Sequence, residues 1–107
     1  MPERMALGRI TAKLNETLAG NRTITALEVQ QYNAFAFDPG GAGRNVVLPA
    51  VASSAGLVLY IANTADAPEI LTVQNAGAAT IVTPTQAEAA IVWCDGVSWF
   101  GLVGASS

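Results

Sequence analysis

The chain has 107 residues, of which 51% are hydrophobic and 12% charged, with five Lys or Arg against eight Asp or Glu, one Cys and no His. So little charge with so much apolar residue excludes a disordered tail, and the lack of a basic surplus argues against a nucleic-acid partner. The missing His removes imidazole triads, His-rich zinc sites and imidazole pH switches. One Cys cannot form an internal disulfide. Size scaling gives a folded surface of about 5,600 Å² against about 16,000 Å² unfolded, enough for one modest core and one domain.

Residues 1–10 contain Glu3, Arg4 and Arg9 and no apolar run of the length a secretory signal needs. They read as an N-terminal arm that includes Met5, Leu7, Arg9 and Ile10, or equally as a frayed terminus, ahead of a folded domain over 11–107. Breakers are spread evenly after that: Gly20-Asn21, Asp38-Pro39-Gly40-Gly41, Pro49, Gly56, Pro68, Gly77, Pro84, Asp95-Gly96 and Gly101. Short runs rich in Val, Ile, Thr and aromatics lie between them, the signature of an all-β sandwich or barrel. Strands are expected over 9–18, 22–29, 32–37, 45–48, 57–63, 70–74, 79–82, 88–94 and 97–103. Two stretches, 27–36 and 86–90, suit a helical turn about as well. The expected fold is a single antiparallel sandwich, jelly-roll-like, of about eight strands.

No charge occurs between Arg44 and Asp66, but Asn45, Pro49, Ser53-Ser54 and Gly56 interrupt the stretch. The apolar runs stay well short of the ~20 residues a spanning helix needs, so a soluble protein with no membrane partner is expected.

Asp95-Gly96 predicts a two-residue type I′ hairpin. It would pair Cys94 with Val97, Trp93 with Ser98, Val92 with Trp99 and Ile91 with Phe100. One face then carries Val92, Cys94, Val97 and Trp99, the other Ile91, Trp93 and Phe100, and both are apolar. The strand at 57–62 repeats this, with Leu57, Leu59 and Ile61 on one side and Val58, Tyr60 and Ala62 on the other. An antiparallel sheet in a monomer usually keeps one wet face. A chain of this size cannot cover both faces of its central strands, so the second is expected to pack on another molecule. A closed barrel with an alanine-rich exterior is the alternative.

Candidate chemistry is thin. Cys94 has no His to activate it and no Lys or Arg within 40 residues, and reads as a small buried hydrophobe. The carboxylates are scattered and form neither a glycosidase pair nor a calcium loop; Asp38, Asp66 and Asp95 read as turn residues. The run Gly40-Gly41-Ala42-Gly43-Arg44 lacks the Lys-Ser/Thr ending of a phosphate loop. Tyr60, Trp93, Trp99 and Phe100 fall on both faces of apolar strands, which favours core or interface over a stacking platform. Neither an enzyme nor a cofactor is indicated.

The order of elements carries a resemblance. Residues 38–50 (DPGGAGRNVVLPA), 55–64 (AGLVLYIANT), Ile70-Leu71-Thr72-Val73 and Cys94-Asp95-Gly96-Val97-Ser98-Trp99 give a strand ending in Leu-Pro, a Gly, a strand ending in Asn-Thr, a Thr/Val strand and a closing Asp-Gly hairpin. Over roughly 34–104 this resembles the head decoration, or cement, proteins of tailed bacteriophages, and is also similar to modules of head and tail fibres. The resemblance implies a non-enzymatic virion protein, made in the bacterial cytoplasm. It would form homotrimers on the outer surface of an expanded capsid and clamp neighbouring copies of the major capsid protein. On that reading Met5, Leu7, Arg9, Ile10, Tyr60, Trp93 and Phe100 lie at oligomer or capsid interfaces. The alternative is a fibre module whose aromatics contact host carbohydrate.

Overall fold

The computed structural model describes residues 9–106. Among these residues nine strands form: β1 (Lys13–Thr17), β2 (Arg22–Thr23), β3 (Ala34–Asp38), β4 (Arg44–Val47), β5 (Val58–Asn63), β6 (Leu71–Gln74), β7 (Thr80–Val82), β8 (Glu88–Cys94) and β9 (Trp99–Ala105). A four-residue helix, α1 (Glu28–Gln31), and a 3-10 turn (Val51–Ser53) are the only helical pieces among the described residues. The protein is therefore β-rich, as its breaker spacing predicts.

The topology departs from the antiparallel jelly roll. Five strands form one sheet in the order β1-β3-β5-β8-β9, and four form a second in the order β2-β4-β6-β7. From β1 to β6 the chain alternates between the sheets, and each strand lies parallel to the one two before it. Lys13 stands beside Ala34 and Ala34 beside Tyr60, so successive turns of this flattened coil take 21 and then 26 residues. Only the C-terminal part reverses: β7 runs antiparallel to β6, β8 to β5, and β9 to β8. Parallel neighbours need long crossovers, and here each crossover is a strand of the opposite sheet.

The two sheets enclose one core. Phe35, Phe37, Leu59, Ile61, Val92, Cys94 and Trp99 from the first meet Val46, Leu71 and Val73 from the second, closed by Leu18, Ile24 and Leu48. Two buried polar groups tie loops to it. The Trp99 indole donates to the Pro49 carbonyl at 2.9 Å. The Asn63 amide donates to the Glu69 and Pro84 carbonyls while its oxygen accepts from the Ala65 amide. Gly101 permits the sheets to approach, because a Cβ there would lie 2.8 Å from Val82 Cγ1 and 3.1 Å from Val92 Cγ1.

Three local expectations are corrected. The strand expected over 22–29 stops at Thr23, because Thr25 and Glu28 close a capping box: Glu28 N donates to Thr25 Oγ1 and Thr25 N to Glu28 Oε1. Strand structure over 9–12 gives way to side-chain pinning, with Asn33 Nδ2 donating to the Arg9 carbonyl and Asn33 Oδ1 accepting from the Thr11 amide. The last hairpin has a four-residue loop, 95–98, so Cys94 pairs with Trp99 and Trp93 with Phe100. A type I′ turn needs φ > 0 at both central residues; Gly96 has it (φ 93°) and Asp95 does not. Instead Asp95 Oδ1 accepts from the Val97 and Ser98 amides, holding its carboxyl below the usual range. Val97 consequently leaves the face of Val92 and stands at the loop tip, 79% exposed.

Candidate interaction face

The outer face of the five-stranded sheet exposes several large apolar side chains. Strand register lays it out in rows. Lys13, Ala34, Tyr60, Ile91 and Leu102 stand side by side across the five strands, and Asn15, Ala36, Ala62, Ala89 and Gly104 form the next row. On the other side Val58, Trp93 and Phe100 continue the pattern. Val58, Ile91, Trp93, Phe100 and Leu102 are all among the exposed large hydrophobic residues. Trp93 and Phe100 stack across the hairpin with ring centroids 5.9 Å apart and planes at 25°, an arrangement that contributes about 0.5–1.5 kcal/mol beyond area burial.

The small-residue rows open a groove of about 480 Å³ across this face. Ala34, Ala36, Ala62 and Ala89 are among its lining residues, as are Ile10 and Leu102. Ala34 and Ala36 are buried although they point away from the core, so β3 is covered on both faces, as inner strands of parallel sheets are.

The interface residues expected from sequence divide into four sets. Ile10 and Tyr60 line the groove. Trp93 and Phe100 form the stacked pair beside it, and Arg9 lies at the root of the arm, its carbonyl held by Asn33. Met5 and Leu7 fall outside the described residues. The alanine groove itself escapes a reading that weighs large apolar residues; its signal is the alternation Ala34, Ala36 in β3 matched by Ala62 in β5 and Ala89 in β8.

The charged groups gather elsewhere. Arg22 forks between two carboxylates, with Nε and Nη2 on Glu16 and Nη1 and Nη2 on Glu28, at 2.6 to 3.0 Å. Its guanidinium stands 5.6 Å from the centre of the Phe37 ring, capping the end of the core. These bonds push the Glu28 carboxyl down to about 2 and raise the Arg22 guanidinium. A second group, Asp38, Asp66 and Glu69, has carboxylate oxygens all within 4.8 Å of one another. Asp38 and Asp66 are expected from sequence as separate turn residues; parallel pairing of Phe37 with Asn63 brings the loops together. Asp38 Oδ1 accepts from the Gly40 amide, and Glu69 Oε1 is buried without a hydrogen-bond partner.

Cys94 is 3% exposed and its sulfur meets the Val51 carbonyl and the Gly96 amide, the surroundings of a packing residue. Among the described residues no helix is long and apolar enough to cross a membrane. No protein-family model, curated protein or solved structure matches the chain.

Proposed function

We propose that the chain is a structural virion protein that decorates the outer surface of a tailed-phage capsid and stabilises it by bridging capsid subunits, without catalysing a reaction. One observation carries this reading: the outer face of the five-stranded sheet presents Val58, Ile91, Trp93, Phe100 and Leu102, each 36–61% exposed, on one continuous apolar surface. With side chains of ~150–250 Å² for the aromatics and less for the aliphatics, those fractions amount to roughly 400 Å² of exposed apolar area. That is the size at which patches on monomers are commonly functional. The resemblance of residues 34–104 to decoration proteins supplies the partner, the major capsid protein, and the three-fold assembly that goes with it.

The mechanism is mechanical. A contact repeated at many fixed capsid positions gains avidity, so no single site needs to be tight. A protein that binds only the expanded lattice stabilises that lattice by linkage. In the alternative, a fibre module, the Trp93–Phe100 pair would stack on a sugar ring. The neighbours that register gives the pair are Val58, Ile91 and Leu102, whereas a carbohydrate site needs polar partners beside its aromatics, so the decoration reading is preferred. Quantitative peptide counting on purified virions tests the choice. Copies comparable to the major capsid protein are expected, whereas a handful per particle would favour the fibre, and none would overturn both.

A further inference from the structure

The free edges of the two sheets are not equally protected. Proteins blunt edge strands with charges, short length, proline or bulges. β1 carries Lys13 and Glu16, β2 is two residues long and includes Arg22, and β7 is three residues long beside a register shift at Val73/Gln74. β9 has none of these devices. It runs for seven residues, Trp-Phe-Gly-Leu-Val-Gly-Ala, with no charge and no proline, in unbroken register with β8, its only sheet neighbour among the described residues.

The peptide groups on that edge can be assigned. Cys94 N donates to the Leu57 carbonyl and its carbonyl accepts from Gly56 N, so Cys94 turns its peptide groups away from β9. Asp95 N donates to Ser98 O, and Ser106 N donates to Ala87 O. Alternation along the ladder then directs the N–H and C=O of Phe100, Leu102 and Gly104 towards β8. Those of Trp99, Gly101, Val103 and Ala105 face outward, four donors and four acceptors in one row.

We propose that β9 pairs with β9 of a second copy, antiparallel about a two-fold axis at Leu102, joining two five-stranded sheets into one. The sequence of β9 is complementary to its own reverse. With Leu102 opposite Leu102, Phe100 faces Gly104, Trp99 faces Ala105 and Val103 faces Gly101, so every other large side chain meets a small one. The outward peptide groups match as well, because Gly101 with Val103 and Trp99 with Ala105 become the hydrogen-bonded pairs and Leu102 the close, non-bonded centre. The eight hydrogen bonds that result fall in the range of ordinary protein interfaces. No charge is buried, and the same patch serves both copies, as a two-fold contact requires. Gly104 has open space where a Cβ would be, room that Phe100 of the partner fills. The inference rests on the assembly reading above and replaces its three-fold order with two-fold: the β9 edge, with Leu102 and Phe100 beside it, serves self-association, and the remaining outer face is left for the capsid.

Light scattering on the intact chain, together with amide hydrogen exchange, tests it. The expected mass is twice the chain's 11.0 kDa, with the Gly101 and Val103 amides protected although they lie on a strand edge. Leu102→Lys places two ammonium groups face to face at the axis, and Gly104→Val fills the space facing Phe100. Each is expected to return the mass to 11.0 kDa, keep the strand circular dichroism, and expose both amides. Should Leu102→Lys not fold, Gly104→Val decides alone, since a Cβ there meets nothing within 4 Å among the described residues. A monomeric or trimeric mass for the intact chain, or a dimer unchanged by Gly104→Val, overturns the pairing. A monomer that still attaches to capsids overturns the pairing and leaves the decoration proposal standing; a β9 dimer that is absent from virions does the reverse.

Discussion

The two faces of the five-stranded sheet are written in nearly the same residues and meet different fates. On the inner face Phe35, Phe37, Leu59, Ile61, Val92 and Trp99 are each 5% exposed or less, packed against the second sheet. On the outer face Val58, Ile91, Trp93, Phe100 and Leu102 keep a third or more of their surface in water. Apolar character therefore does not by itself say where a residue's partner lies. The inner face stabilises the fold, and the outer face, on the function proposed above, serves a contact outside the chain.

Substitutions separate the two roles. Phe37→Ala, deep on the inner face, is expected to cost about 3–5 kcal/mol of folding stability, measured by urea unfolding; a loss below 1 kcal/mol would contradict the assignment of the core. Glu28→Gln, at the polar rim of that core, removes charged hydrogen bonds to Arg22 and is expected to cost about 1–3 kcal/mol near neutral pH. The folded Glu28 carboxyl titrates at about 2, below its ordinary 4.5, so its contribution is complete above pH 4.5 and fades as pH falls towards 2. The stability gap between the two proteins should accordingly shrink between pH 5 and pH 2.5, and a gap that widens would be inconsistent with the ion pair. Phe100→Ala on the outer face should cost only about 1 kcal/mol, mostly its stacking on Trp93. Removing residues 1–8 should leave the melting temperature of the domain unchanged while weakening attachment to capsids; undiminished attachment would refute the arm as a docking element.

Local features were legible in the sequence because their causes are local. Nine strands occur close to where Gly, Pro and Asp-Gly breakers separate Val- and Thr-rich runs, and the two apolar faces of β5 and β8 follow from side-chain alternation. Parallel pairing was not legible, since β1, β3 and β5 meet only after turns of the coil that take 21 and 26 residues, with no repeated motif to mark them. The same non-local pairing creates the alanine groove and gathers Asp38, Asp66 and Glu69. The hairpin register was misread for a different reason: Asp95 is used as a side-chain acceptor for the Val97 and Ser98 amides and not as a residue at positive φ.

The central claim is that the outer face binds the surface of a phage particle. Co-sedimentation with expanded capsid shells stripped of this chain measures it directly, comparing the unaltered protein with the double variant Trp93→Ala, Phe100→Ala. The unaltered chain is expected to pellet with the shells and the variant, folded by circular dichroism, to remain in the supernatant. A variant that pellets to the same extent as the unaltered protein would contradict the account.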